Sequence, residues 1–412
     1  MTGFARPEGT LVCDGVSLTE AAGRHGTPLY VYSRDAIVAA YRAYEAAFAP
    51  VPHRICYAVK ANGAGAILRL LASLGAGADI VSGFELQAAL RAGFTPDRIV
   101  FSGVGKTDEE IAAGLDAGIG EFNAESEDEI MRISAQAAAR GQRAALTLRV
   151  NPDIDARSHP YISTGLRDNK FGVDIGAAAG ILERARALPG IDVAGVQCHI
   201  GSQIRSLEPL REAVDALVGL SRRLLAQGYG LRTIDIGGGL GVNYEEGEGP
   251  DVSAFAEAVI PPLRDLGLKV LLEPGRSLVA RAGALLTRVL YVKENHGKRF
   301  VIVDAGMNDL LRPALYKAHH RIEPVEARGR ESRLVDVVGP VCETADAFAR
   351  DRELETVEPG ELVAIRDAGA YGFVMASTYN MRPRPAEVMV EDGNVRLIRR
   401  RESFEDLVAT EV

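Results

Sequence analysis

The chain has 412 residues, 47% of them hydrophobic and 25% charged, an ordinary soluble composition with length enough for two hydrophobic cores. Its 47 Lys and Arg against 56 Asp and Glu leave a net charge of −9, the wrong sign for a protein that neutralises phosphate backbones, so no nucleic-acid partner is expected. The opening MTGFARPEGT has no apolar core of a signal peptide and no run reaches the roughly 20 apolar residues of a bilayer span, so no membrane contact and a cytoplasmic location are expected.

Residues 1–33 read as strand and loop, with LVCDG and PLYVYS as the strand-forming parts. A helix, SRDAIVAAYRAYEAAFA, follows and could close an outer ring around what comes next. From there to about residue 275, short β-rich runs alternate with amphipathic helical stretches. The predicted strands are RICYAVK, ADIVSG, RIVFSG, GEFNAES, ALTLRVN, VAGVQCHIGS, LRTIDIGGG and KVLLEPG. Between them lie helical patterns such as AGAILRLLASLG, FELQAALRAG and SEDEIMRISAQAAARG, the last opened by a Ser126-x-x-Glu129 capping box.

Eight strands alternating with eight helices over about 240 residues is the size of a (β/α)8 barrel. A doubly wound open sheet is the alternative, but GGGLG at 237–241 lacks the last glycine of a dinucleotide-binding fingerprint. After Glu273 the rhythm changes to strands with little helix between them: ALLTRVLYVKE, RFVIVDAG, LVDVVGPV, ELVAIRDAGAY and the hairpin AEVMVEDGNVRLIRR. The expected fold class is α/β, a (β/α)8 barrel over 34–275 with a second, mostly antiparallel β domain made of 1–33 and 276–412. The basic run RLIRRRE at 396–402 follows an EDGN turn and reads as a solvated strand end. Four widely spaced cysteines, Cys13, Cys56, Cys198 and Cys342, form no CxxC pair, which suits a reducing compartment.

A barrel of this type builds its active site at the carboxyl ends of its strands. Lys60 ends the first predicted strand, His199 the sixth, Gly237 to Gly239 the seventh and Glu273 the eighth. Each alone has an ordinary reading: a solvated rim lysine, a satisfied histidine, a tight turn. One placement rule explains all four, and together they fit pyridoxal phosphate. A lysine amine holds an aldehyde cofactor as a Schiff base, which is the expected task of Lys60. The glycines, Gly238 and Gly239 among them, let backbone N–H groups approach a phosphate. Glu273 would pair with the pyridinium nitrogen, His199 would lie against the ring, and Ser202 would donate to the phosphate. No metal site is expected.

YAVKAN, HIGSQ, GGGLG and EPGR, in this order and spacing, resemble the barrel-type PLP-dependent amino-acid decarboxylases, a group that includes ornithine, arginine and diaminopimelate decarboxylases and, more distantly, alanine racemase. STGLRDNKFG (163–172), MNDLLRPALYKAHH (307–320), GPVCETAD (339–346) and DAGAYGFVMASTYNMRPRPAEV (367–388) resemble the diaminopimelate branch, over nearly the whole chain. The resemblance implies that Lys60 holds pyridoxal 5'-phosphate, that His199 stacks on it and that Glu273 pairs with its ring nitrogen. It implies a phosphate site at Ser202, Gly239, Gly275 and Arg276. Arg276, Arg312 and Tyr316 would bind substrate carboxylate, with Glu343 and Tyr371 completing the pocket and Tyr371 also touching the phosphate. Cys342 would enter from the partner of a homodimer with shared active sites and help deliver a proton. Asp79 is a candidate neighbour of Lys60.

The implied reaction is decarboxylation of meso-2,6-diaminopimelate to L-lysine and CO2, the last step of lysine biosynthesis. A decarboxylase for ornithine, lysine or arginine is the alternative. Arg312 speaks against it, because a second cationic anchor helps only when the far end of the substrate carries a carboxylate. A racemase would have no use for the Cys342–Glu343 pair, and a catalytically dead homologue would be expected to lose Lys60 or the carboxylate at 273.

Overall fold

Short apolar runs stopped by glycine or polar residues, buried on both faces, are what parallel strands require. Eight of them close a barrel: His53–Ala58, Gly77–Ile80, Ile99–Phe101, Glu121–Ala124, Ala144–Asn151, Ile191–Gln197, Thr233–Asp235 and Lys269–Leu272. The computed structural model describes residues 3–156, 164–165, 169–245 and 249–412. Each strand pairs in parallel with the next, and the ring closes where Val270 of the eighth faces His53 of the first. Ile80, Phe101, Leu146, Val196, Ile234 and Val270, one from each of six strands, are all buried. Seven helices follow the first seven strands: Gly65–Ser73, Gly83–Ala92, Asp108–Ala117, Glu127–Ala139, Ala178–Arg186, Leu207–Ala226 and Val252–Arg264. The eighth strand is followed only by the single turn Arg276–Val279. The helix Arg34–Phe48 precedes the first strand, and its last residue packs on Phe255 of the helix Val252–Arg264, with ring centroids 5.8 Å apart.

The capping box expected at Ser126 is only half formed. Ser126 Oγ accepts from the Glu129 N–H at 3.2 Å, but the Glu129 carboxylate turns to the Glu125 N–H (2.9 Å) and to Lys106 Nζ (2.7 Å). A buried ammonium outbids a backbone N–H for a carboxylate. Lys106 is 1% exposed and also donates to the Gly103 and Asn123 carbonyls, so all three of its protons are used. A reciprocal capping box forms instead at Thr107 and Glu110.

The second sheet is built around Leu29–Ser33, every residue of which is buried. This strand lies between Gly283–Asn295, antiparallel to it, and Ala386–Glu391, parallel to it. Gly283–Asn295 continues through Lys298–Val303 and Ser332–Val338 to Ala347–Glu355, and Leu362–Ile365 pairs with both Gly283–Asn295 and Ile322–Pro324. Most pairings in this sheet are antiparallel. Leu11, Cys13, Leu18, Leu29, Val31, Leu286, Val325 and Val388 form one core cluster here. The strand Ala347–Glu355, AFARDRELE, was not among the expected elements because five of its nine residues are charged.

The basic run at 396–402 lies at the exposed end of the strand Asn394–Arg399, where its arginines also form ion pairs: Arg396 with Glu391, Arg399 with the buried Glu387, and Arg400 with Asp406. Two compact units result. One is Tyr41–Val242 with the stretch ending at Arg276, and the other holds the N-terminal residues to Ala40, the short segment beginning at Asn243, and Ser277–Val412. Among the described residues no helix is long and apolar enough to cross a membrane.

Lys106→Met leaves the Glu129 carboxylate buried without its cation, which costs about 3–5 kcal/mol for pairs of this kind. The urea midpoint of the variant should fall accordingly, while Arg132→Met, at an exposed pair with Asp108, should shift it little.

Candidate active site

All the barrel strands but the fifth end two to five residues earlier than expected, so Lys60, His199 and Glu273 sit just past them, on turns at the barrel's carboxyl end. Lys60 lies in the 3-10 turn Val59–Ala61, where its Nζ donates to Asp79 Oδ2 of the second strand at 2.6 Å. Lys60 is one-third exposed and Asp79 wholly buried, so the pair anchors the amine while leaving it reachable. Asp79 Oδ1 is buried with no hydrogen-bond partner among the described residues.

Glu273, the residue after the eighth strand, is held from three other strands. Its Oε1 accepts from Asn123 Nδ2 (3.1 Å) and Ser102 Oγ (3.4 Å), and its Oε2 from Gln197 Nε2 (3.0 Å). Burial raises its pKa well above the usual carboxylate range, and the carboxyls of Asp235 and Asp79 push it the same way, against the pull of Lys60. Asp235 is likewise raised to about 7, chiefly by burial.

His199 Nδ1 accepts from the Gly238 N–H at 3.2 Å, which leaves the ring proton on Nε2. Burial first, then the charges of Arg149 and Lys60, hold its pKa well below 6.5, so the ring is neutral. Arg149 pairs with Glu125 at 2.7 Å inside the barrel and also donates to the His199 carbonyl (3.4 Å). The glycine turn must stay glycine: a Cβ at Gly238 would lie 2.2 Å from the Glu273 carbonyl, and one at Gly239, where φ is 98°, 2.5 Å from the Gly201 carbonyl. Gly275 is nearly as tight, with Ala61 Cβ 2.9 Å from its would-be Cβ. The buried Arg276 donates to Ser202 Oγ at 3.1 Å.

Lys60, Asp79, His199, Ser202, Gly238, Gly239, Glu273, Gly275 and Arg276 therefore belong to one end of one barrel. Asn123, Ser102, Gln197 and Asp235 join them without being among the residues expected from sequence. The available signal was a polar residue within each of four predicted strand segments, RIVFSG, GEFNAES, VAGVQCHIGS and LRTIDIGGG.

The other expected residues belong to the second unit. Arg312 and Tyr316 open and close the helix Arg312–Tyr316, and Arg312 is buried. Cys342 is exposed, unlike the buried Cys13, Cys56 and Cys198, so it is not a small core residue. Its N–H donates to Asn380 Oδ1 at 3.0 Å, and the exposed Glu343 follows it. Tyr371 has the left-handed φ of 54°. In the stretch STGLRDNKFG, residues 163 and 166–168 lie outside the described residues.

A primary amine on a buried carboxylate, a neutral imidazole and a carboxyl raised in pKa by burial fit pyridoxal phosphate, which brings an aldehyde, an aromatic ring and a basic ring nitrogen. Among the described residues no group of three or more His, Cys, Asp or Glu could hold a metal ion.

Residues 34–280 match the family model of the pyridoxal-dependent decarboxylases, specifically the pyridoxal binding domain. The chain is 49% identical over 411 residues to diaminopimelate decarboxylase of Pseudomonas aeruginosa, covering 100% of this chain and 99% of that one. It is 48% identical to the Aquifex aeolicus enzyme of the same name, over 97% of this chain and 95% of that one. Among solved structures it is similar to diaminopimelate decarboxylase of Helicobacter pylori complexed with L-lysine, with a TM-score of 0.92, 47% identity and coverage of 95% and 98%. The M. jannaschii enzyme, also in complex with L-lysine, matches with a TM-score of 0.95 at 40% identity, over 100% of this chain and 99% of that one. The chain belongs to the pyridoxal-dependent decarboxylases, in the family of the diaminopimelate decarboxylases.

Proposed function

We propose that the protein is a carboxy-lyase that converts meso-2,6-diaminopimelate to L-lysine and CO2, the last step of lysine biosynthesis, with pyridoxal 5'-phosphate as cofactor. The observation that carries the choice of substrate is the match along the whole chain to relatives named for this reaction, two of them solved with L-lysine. Bound pyridoxal phosphate supplies an aldehyde for a primary amine and a ring that accepts the electron pair left when CO2 departs.

The chain's own groups do the rest. Lys60 holds the cofactor through its amine, and Asp79 takes or returns that amine's proton across their 2.6 Å hydrogen bond. Glu273 presents its carboxyl to the ring nitrogen, in an interior where a cation beside it lowers its cost of ionising. His199, kept neutral and pinned through Nδ1, lays an uncharged ring against the cofactor. Ser202, Gly238, Gly239, Gly275 and Arg276 hold the phosphate, with Tyr371 assigned to it as well.

Arg276, Arg312 and Tyr316 take the substrate's carboxylate, and Glu343 takes the distal ammonium. Cys342 of the partner subunit, in a homodimer, delivers a proton to the carbon that has lost CO2. The enzyme works in the cytoplasm, where four free cysteines stay reduced.

A panel of meso-diaminopimelate, lysine, ornithine and arginine, scored for CO2 release with added cofactor, tests the substrate. Turnover of diaminopimelate should exceed that of the others by about 10⁴ in kcat/KM, since a missing distal carboxylate leaves guanidinium donors without their partner. Comparable turnover of lysine would refute the assignment.

Glu273→Gln should retain cofactor and lose about 10²-fold or more in kcat. In the cofactor-free form the sign reverses. Glu273 ionises near pH 4.3 when unfolded but at a higher pH when folded, so folding stability falls as pH rises above about 4.3. The cofactor-free variant should therefore match wild type at pH 4 and melt higher at pH 8.

Lys60→Ala and Cys342→Ala chains should each be inactive. Mixing them under conditions of subunit exchange should restore activity, because one site of a mixed dimer is intact. No recovery would mean that each site draws on one chain only.

A further inference from the structure

The segment MNDLLRPALYKAHHRIEP folds back on itself. After the single helical turn Arg312–Tyr316, Lys317 takes a left-handed φ of 51°, and the Ala318 N–H donates to the Arg312 carbonyl at 3.4 Å. The reversal returns the chain to Arg312 and ends in the strand Ile322–Pro324, paired with Leu362–Ile365. Just beyond that pairing the Arg366 N–H donates to the Arg321 carbonyl at 2.8 Å.

His320 is fully buried between these two features. Its Nε2 lies 2.7 Å from Arg312 Nη1 and its Nδ1 2.7 Å from the Arg366 carbonyl. A guanidinium only donates and a carbonyl only accepts, so Nε2 is the acceptor and Nδ1 carries the proton. Beside them, Tyr244 sets its ring 4.4 Å from Arg312 Cζ and meets the His320 ring edge-on at 5.2 Å.

We propose that His320 is a positioning and specificity-determining residue, which together with Tyr244 fixes the plane of the Arg312 guanidinium for two-pronged binding of the substrate's distal carboxylate. The inference rests on the reading of Arg312 as that carboxylate's anchor. Arginine binds carboxylates through a rigid planar fork, and this selectivity is lost if the fork can rotate. An imidazole suits the task better than an aspartate would. It accepts one hydrogen bond from the guanidinium without offsetting the charge, so the full attraction for the incoming carboxylate remains. The aromatic ring of Tyr244 fixes the second rotational degree of freedom and favours the cation electrostatically.

Two amide substitutions separate this role from simple chain bracing. In His320→Gln the amide reaches the Nε2 position and still accepts from Arg312. In His320→Asn it reaches only the Nδ1 position and keeps only the bond to the Arg366 carbonyl. His320→Asn should raise KM for meso-diaminopimelate about tenfold with kcat within about threefold of wild type, and His320→Gln should stay within about threefold in both. Tyr244→Leu, which leaves His320 in place, should raise KM about threefold. The double variant Arg312→Ala/His320→Asn should be no worse than Arg312→Ala alone, because His320 acts through Arg312.

If Arg312→Ala raises KM but His320→Asn and Tyr244→Leu do not, the inference is overturned and the anchor stands. The same holds if Asn rescues and Gln does not, which would make His320 a brace for the chain. If Arg312→Ala leaves KM unchanged, the anchor itself falls and the inference falls with it.

Discussion

Holding a carboxyl group inside a barrel is the constraint on which the rest of the site depends. Glu273 sits at the end of the eighth strand with the carboxyls of Asp79 and Asp235 near enough to raise its pKa. Three acids in one interior repel each other once ionised, and water is not there to screen them. The fold answers with donors from three other strands, Ser102, Asn123 and Gln197, and with the ammonium of Lys60 on Asp79. Both oxygens of Glu273 are thereby hydrogen-bonded.

The barrel wall around it is stiffened by charges that never meet solvent. Lys106 ties Glu129 to the Gly103 and Asn123 carbonyls, Glu129 takes the Glu125 N–H, and Glu125 pairs with Arg149, which reaches the His199 carbonyl. The chain of contacts runs from the outer helix Glu127–Ala139 to the backbone of the imidazole. Each link is buried and satisfied, the condition under which such networks rigidify rather than weaken a core.

The eight barrel strands were legible because each is a short apolar run stopped by glycine or a polar residue, and Lys60, His199 and Glu273 stood out as the polar residues at those stops. The supporting shell was not legible. Asn123 or Gln197 in a strand is unremarkable until a carboxyl is seen facing it. Ser126 and Glu129 had the spacing of a capping box, yet Lys106, twenty residues earlier, claimed the carboxylate. His320 and Tyr244 lie far apart in the chain, and only the reversal at Lys317 and the fold of their unit bring both to Arg312. Local pattern reports which residues are chemically able, and tertiary contacts decide what they do.

The place of Leu29–Ser33 in the second sheet has a consequence for synthesis. This wholly buried strand is made long before one of its two neighbours, Ala386–Glu391, which lies far along the chain. At about 5–20 residues per second the interval is tens of seconds, during which an apolar edge has no native partner. The barrel residues are all synthesised within that interval, so the β sheet is completed only after all eight barrel strands have been made. A holding chaperone would find its target in the nascent Leu29–Ser33 strand, and a chain truncated near residue 380 would keep all eight barrel strands but leave an open edge in the second sheet, prone to pairing with another molecule.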